Sequence, residues 1–373
     1  MNLLVINLDK AIFSENSASL ARLKEYSRLV DKMFVLVWTK NKFAPIDFEN
    51  RLFIYPTNSF SRLCYLFDTW RLARKILKLN KIDLIFTQDP FETGLAGVLI
   101  AKFYKIRLQL QIHTDVFSPY FRAQSLANSL RAALAAILIG RADGLRVVSS
   151  RIKQSLLKRG VLEKKIFVLP IFTDVEKFIK APVKYDLKKK YPRFEKIILM
   201  ASRLSPEKNI SIALEAVAEV IKNQPRLGLV IVGAGTEKEN IFRKIKRLGL
   251  ENNVIVEPWA HDLADYYKGA DLYLLTSNYE GWGMAVVEAL AAGCPVVMTD
   301  VGCAGELVID GQTGLVAPVG DAEALSRASL RLMADEPLRL KIIEQARQAV
   351  KNLPSKSDYL DKYKKSWGLK IIL

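Results

Sequence analysis

The sequence predicts an α/β protein built from two doubly wound parallel-sheet domains in tandem, facing a central cleft. Three observations carry that prediction. The chain has 373 residues, more than the ~250 to 300 at which a single hydrophobic core stops growing. Short runs of Val, Ile and Leu alternate with helix-length segments, the pattern of strands buried on both faces between covering helices. The alternation breaks once, between Thr173 and Glu195, and restarts at Lys196-Ile-Ile-Leu-Met-Ala.

The first series of expected strands is Leu3 to Leu8, Met33 to Trp38, Leu52 to Tyr55, Leu84 to Phe86, Leu108 to Ile112, Gly144 to Val148 and Ile166 to Leu169. Between the first two, Ser17 precedes a stretch with Leu20, Leu23, Tyr26 and Val30 on one face, which reads as a capped amphipathic helix. Pro182, Pro192 and the basic run Lys188 to Lys190 make 173–195 a junction. The second series is Ile197 to Met200, Leu229 to Val232, Val254 to Val256, Leu272 to Leu275 and Pro295 to Met298. The domains are therefore expected at 1–173 and 174–352, followed by a helix at 353–373 that packs back on the first.

Half the residues are hydrophobic and a quarter charged, a composition that folds without staples. Cys64, Cys294 and Cys303 form no Cys-x-x-Cys pair, which argues against a disulfide framework or zinc knuckle and fits a reducing cytoplasm. MNLLVINLD reads as a strand rather than a signal peptide. The longest apolar stretch, Ala132 to Ile139, is far below the ~20 residues a spanning helix needs. The net charge of +17 is lopsided, with 27 Lys/Arg against 14 Asp/Glu through Asp174 and 29 against 25 afterwards. Such a field attracts nucleic acid, anionic lipid or a phosphorylated substrate, or is simply solvated. No recognition helix, finger or aromatic strand platform accompanies it, which weighs against nucleic acid.

The most informative stretch runs Glu280-Gly-Trp-Gly-Met-Ala-Val-Val-Glu288. It follows an expected strand and opens a helix, so free N–H groups at Gly283 to Ala285 make an anion site. Gly281 and Gly283 permit a sharp turn and close approach of a ligand. Two carboxylates eight residues apart suit the hydroxyls at the two ends of an extended ligand; a solvated Glu beside an ordinary glycine turn is the plainer alternative. After the strand at Ile197, Arg203 and Lys208 lie in one loop and are expected to come close enough to neutralise a diphosphate, unless they are ordinary surface charges. No Asp-x-Asp occurs, so a carboxylate-held metal is not expected and the cations themselves would stabilise the leaving group. Gly233-Ala-Gly235 starts a dinucleotide fingerprint whose third glycine is replaced by Lys238, leaving a nucleotide-side turn and plain packing both open. His113 ends a buried strand at the expected cleft, as ligand contact or structural histidine; the other histidine is His261.

Taken together, Arg203, Lys208, Glu280, Gly281, Gly283 and Glu288 make the chain resemble the retaining GT-B glycosyltransferases with a Glu-x7-Glu motif, the group 1 or family 4-like enzymes. The resemblance spans nearly the whole chain and implies two Rossmann-like domains. It implies that Arg203 and Lys208 hold the donor diphosphate, with Gly233 and Gly235 nearby. Glu280 and the N–H groups of Gly281, Trp282, Gly283 and Met284 would hold the sugar, Glu288 the ribose, and His113 would contact the donor sugar near the reacting carbon. His113, Glu280, Arg203 and Lys208 are thus the expected catalytic group, with no metal and no cofactor beyond the nucleotide-sugar. Two features depart from the family pattern: the chain has no glycine before Gly94, and Thr114 separates His113 from Asp115.

The expected activity is metal-independent transfer of a hexose from a UDP- or GDP-sugar, with retention, to a lipid-linked or polysaccharide acceptor. A nucleotide-sugar epimerase or hydrolase, and a non-catalytic nucleotide-sugar-binding protein of the membrane surface, are the alternatives. The basic first domain suggests a peripheral place on the inner face of a membrane. Arg71, Arg74, Lys75, Lys78 and Lys81 interleave there with Trp70, Leu72, Ile76 and Leu77, a stripe that either meets lipid or faces the core.

Overall fold

Five of the six residues of Asn2–Asn7 (β1) are buried, as a central strand of a parallel sheet covered on both faces must be. The structure is a computed structural model and describes residues 1–40, 42–184, 186–260 and 262–368. Contacts divide the chain into two units. Met1–Phe117, Ser125–Pro170 and the stretch from Ser355 form the first; Ser118–Gln124 and Ile171–Pro354 form the second.

The remaining strands of the first unit are β2 (Lys32–Val37), β3 (Ile46–Phe48), β4 (Leu52–Pro56), β5 (Leu84–Thr87), β6 (Arg107–Ile112), β7 (Gly144–Val147) and β8 (Ile166–Val168). They form a sheet of order β3-β4-β2-β1-β5-β6-β7-β8. Every pairing is parallel except β3 with β4. The exception was not anticipated, because Ile46-Asp47-Phe48 is short, charged at its centre and only half-buried. The helices of this part of the chain are α1 (Ala18–Ser27), α2 (Tyr65–Leu79), α3 (Glu92–Tyr104), α4 (Pro119–Ala123), α5 (Leu126–Arg141) and α6 (Ser150–Leu157). The expected cap of α1 is present: Ser17 Oγ accepts from Leu20 N–H at 3.1 Å. α4 belongs by its contacts to the second unit.

The second unit holds β9 (Lys196–Ala201), β10 (Leu227–Val232), β11 (Val254–Glu257), β12 (Leu272–Leu275), β13 (Val296–Thr299) and β14 (Leu315–Ala317). Its helices are α7 (Val175–Lys180), α8 (Leu187–Lys190), α9 (Ile210–Asn223), α10 (Lys238–Arg247), α11 (Ala264–Gly269), α12 (Met284–Ala291), α13 (Ala322–Ala334) and α14 (Glu336–Lys351). The order β11-β10-β9-β12-β13-β14, all parallel, is the Rossmann arrangement with a topological switch between β9 and β12, where such sheets bind ligands at their carboxyl ends.

The chain returns to the first unit as α15 (Lys356–Trp367). Three polar contacts seat it on β6 and β7. Gln109 Nε2 donates to the Ser366 carbonyl at 2.6 Å, Gln111 Nε2 to Tyr363 Oη at 2.8 Å, and Arg146 to Tyr359 Oη at 3.1 Å. Residues 359, 363 and 366 share one helix face, while 109 and 111 share one strand face. Tyr363 and Trp367 fill the space between these contacts and are almost wholly buried.

Candidate functional site

The loop leaving β9 and the loop leaving β12 flank the switch point of the second unit, and backbone and side chains stitch them together. Asn278 N–H donates to the Glu207 carbonyl at 2.8 Å, Thr276 Oγ1 to the Lys208 carbonyl at 2.9 Å, and Asn209 Nδ2 to Asn278 Oδ1 at 2.9 Å. Asn209 holds a left-handed conformation, φ 45° and ψ 49°, a region that Asn tolerates better than most residues. The 3-10 turn Pro206–Lys208 thereby presents Lys208 to the second loop.

Lys208 Nζ donates to Glu280 Oε1, which also accepts from Ser277 Oγ at 2.8 Å. Both charged side chains are only 14% exposed, so this pair is fixed more firmly than a surface ion pair. Arg203 lies in the same loop but is bound elsewhere: its guanidinium donates to Glu207 Oε1 at 3.0 Å, and the side chain is 71% exposed. Arg203 and Lys208 therefore hold separate carboxylates. Glu207 itself is 14% exposed and also accepts from Ser205 Oγ at 2.6 Å. It was not singled out from the sequence, although Ser205-Pro206-Glu207 is a turn-forming pattern that offers such an acceptor.

Past Glu280 the chain turns through Gly281, the buried Trp282 and Gly283, which adopts φ 94°. Gly283 caps α12 with no side-chain hydrogen bond, so N–H groups of the first turn point outward from the helix end beside Glu280. A second glycine supports the turn from behind. A Cβ on Gly302 would lie 2.6 Å from the Trp282 carbonyl oxygen and 3.0 Å from Glu280 Cβ, and Gly302 has φ 55°. The next residue, Cys303, donates its N–H to that same carbonyl at 2.9 Å.

Glu288 projects from α12, where burial pushes its carboxyl upward and the Tyr267 hydroxyl at 3.0 Å and the charge of Lys177 partly offset this. Gly233 and Gly235 make close contact with backbone. A Cβ on Gly233 would lie 1.9 Å from the Ser202 carbonyl oxygen, and one on Gly235 2.2 Å from that of Leu204. Their absent side chains let the loops after β9 and β10 zip together, with Leu204 N–H donating to Ala234 O at 2.9 Å and Glu237 N–H to Leu204 O at 2.9 Å. Trp259, after β11, is 51% exposed. Tyr279, next to Glu280, packs edge-on against Phe121 of α4 at 5.5 Å and donates to Gln124 Oε1.

In the first unit, His113 follows β6 and is half-buried. Burial first, then the positive charges of Arg146 and Arg22, lower its pKa from 6.5 to about 3, so the imidazole is neutral near pH 7. Asp115 turns away, with Oδ1 accepting from Phe117 N–H at 3.1 Å and Ser155 Oγ at 2.9 Å. His261 lies outside the described residues. Among the described residues no group of three or more His, Cys, Asp or Glu is placed to hold a metal ion, and no helix is long and apolar enough to cross a membrane.

Residues 184–349 match the family described as "Glycosyl transferases group 1" and residues 28–177 "Glycosyltransferase Family 4". The chain is 28% identical over 288 residues to alpha-monoglucosyldiacylglycerol synthase of Streptococcus pneumoniae, a match covering 74% of this chain and 61% of that one. It is 26% identical to a UDP-Gal:alpha-D-GlcNAc-diphosphoundecaprenol alpha-1,3-galactosyltransferase of Escherichia coli, covering 71% and 70%. Its backbone superimposes on Anabaena HepE, solved in complex with UDP and glucose, with a TM-score of 0.78 at 20% identity and 99% coverage of each chain. The chain spans less than two thirds of the length of several curated relatives: 61%, 22% and 43% for three of them.

Proposed function

Because the chain belongs to the group 1 glycosyltransferases of the GT-B fold, we propose that it transfers a hexose from a UDP- or GDP-sugar, with retention and without a metal ion, to a lipid-linked or polysaccharide acceptor. The observation that carries this reading is the Lys208–Glu280 pair at the switch point, beside the uncapped start of α12. A diphosphate there meets a lysine already held in place and a helix dipole of matching sign. Arg203, whose side chain is 71% exposed, reaches it by giving up its contact with Glu207.

In this mechanism Lys208 exchanges Glu280 for a phosphate oxygen, and the freed carboxylate accepts hydrogen bonds from sugar hydroxyls. Glu288, buried and anchored on one oxygen by Tyr267, accepts from the ribose. As the bond to the leaving diphosphate breaks, negative charge grows on the phosphate beside Lys208, Arg203 and the helix end. The acceptor hydroxyl attacks from the face the diphosphate leaves and passes its proton to it. His113, neutral at working pH, serves as a hydrogen-bonding group toward the donor sugar rather than as a cation.

The proposed membrane role keeps cations the sequence suggested and adds apolar residues that it did not single out. Ile76 is buried, whereas Trp70, Leu72 and Leu77 are half-buried and Trp70 packs on Phe103, itself 68% exposed, at 5.1 Å. Beyond these, Phe60 (95%), Leu63 (93%) and Phe67 (69%) are exposed near Arg62, Arg71, Arg74 and Lys75. Apolar side chains stranded in water among cations suit insertion into an anionic interface.

The decisive experiment is a thermal-shift screen with UDP-, GDP- and ADP-sugars followed by nucleotide release. A matching donor raises the midpoint by mass action. Free sugar or an epimer with no conjugate at any acceptor would favour the epimerase or hydrolase instead.

A further inference from the structure

Arg146 lies within β7 with 2% of its surface exposed, and among the described residues no carboxylate pairs with it. An unpaired buried cation costs several kcal/mol unless its donors find oxygens, and those it finds are all neutral. Gln111 Oε1 is at 3.0 Å, the Leu169 carbonyl at 3.0 Å, the Pro170 carbonyl at 3.3 Å and Tyr359 Oη at 3.1 Å. The guanidinium carbon also sits 4.7 Å from the centre of the Tyr363 ring, a favourable cation–π distance. Nε has no partner.

The sites of these partners are the informative part. Pro170 is the last residue of the first unit before the chain enters the second, and Tyr359 follows its return at Ser355 by four residues. Gln111 pairs across the sheet with Arg146 and stands two residues before His113. One planar fork thus reaches the outgoing segment, the incoming segment and the strand that ends in His113. Stability alone does not require such a residue, because replacing a buried polar cluster by well-packed hydrophobic residues is often neutral or stabilising. What an apolar side chain lacks is the directional hold on three separate segments.

We propose that Arg146 is a positioning residue for the transfer reaction, fixing the His113 end of β6 together with both segments through which the chain crosses between units. This rests on the reading of His113 as a donor-contacting group. The partners described for Arg146 all belong to the first unit, whereas Arg203, Lys208, Glu280 and Glu288, assigned to donor binding, belong to the second, so its loss is expected in turnover rather than in donor affinity.

The test uses the full chain and three variants: Arg146→Lys keeps the charge and loses the fork, Arg146→Met loses both, and Tyr359→Phe removes one acceptor. The chain has two histidines, and His113→Gln assigns the His113 imidazole signal in an NMR titration. The native signal is expected not to titrate between pH 5 and 8. In Arg146→Met its pKa rises, while in Arg146→Lys it stays low. With the donor found by nucleotide release from UDP-, GDP- and ADP-glucose, kcat is expected to fall roughly 10-fold or more in both Arg146 variants, with KM for that donor within about twofold. Retention of native kcat by folded Arg146→Lys and Arg146→Met, or an unchanged His113 titration in Arg146→Met, overturns the proposal. Should the Arg146 variants not fold, Tyr359→Phe decides: the proposal requires lower kcat at unchanged KM, and native kcat sinks it. If the native chain releases nucleotide from none of the three probes, the functional reading fails separately, and the titration still decides whether Arg146 governs His113.

Discussion

At the scale of single residues the site depends on a few buried charges whose surroundings set their chemistry. Lys208→Ala removes the cation proposed to meet the leaving diphosphate and leaves Glu280 with Ser277 Oγ as its remaining described partner. Donor turnover is expected to fall roughly 10²-fold or more, and steady-state nucleotide release at saturating donor measures it. His113 gives a pH signature of definite sign. Its folded pKa is lowered to about 3 from 6.5, so below pH 6.5 the unfolded chain takes up a proton that the native chain refuses. Stability is therefore complete above pH 6.5 and declines as pH falls from there toward 3, by on the order of 2 kcal/mol at pH 5. Urea unfolding at pH 7 and pH 5 reads this, and His113→Gln should remove that part of the slope. The sequence singled out Lys208, Glu280, Gly283 and Glu288 of the candidate site, and the structure pairs the first two. Glu207 and Gly302 were not singled out, because a lone acid in a loop and a lone glycine after a strand have no distinguishing spacing until the fold brings them beside Arg203 and Trp282.

At the scale of elements, continuous apolar runs made the strands readable, since a strand buried on both faces leaves no other composition available. β3 and β14, three residues each, were not among the expected strands. The loops between strands are held by contacts that a sequence does not display. Gly233 shows this: only the fold reveals that its missing Cβ faces the Ser202 carbonyl at 1.9 Å. Gly233→Ala is expected to cost roughly 1–3 kcal/mol by overpacking, seen in urea denaturation, and to abolish the donor-induced thermal shift because the loop bearing Lys208 moves. α15 supplies a second prediction. Tyr363→Phe leaves the Gln111 amide without its acceptor and should destabilise the chain by about 1–3 kcal/mol, whereas Lys364→Ala on the exposed face should stay within about 0.5 kcal/mol; chemical denaturation compares the two.

At the scale of the whole molecule, the charge excess of the first half was visible by counting, but not the residues that give it a use. Phe60, Leu63 and Phe67 were not singled out from the sequence, and the structure leaves them in solvent. Binding to vesicles containing anionic lipid is expected to weaken steeply with salt and to be lost in a Phe60→Ser, Leu63→Ser, Phe67→Ser variant that keeps its thermal midpoint. Sedimentation of that triple variant at the native level would show the apolar residues to be bystanders. The seating of α15 bears on how the protein is made. β6 and β7 emerge from the ribosome more than 200 residues before the helix that covers Gln109, Gln111 and Arg146, so through most of translation the nascent sheet carries an uncovered polar seam and bare aromatic sockets. Completion of the amino-terminal unit is consequently a late event, possible only once the segments of the second unit, which run to Pro354, have been synthesised, and the interval is when chaperones have the most to shield.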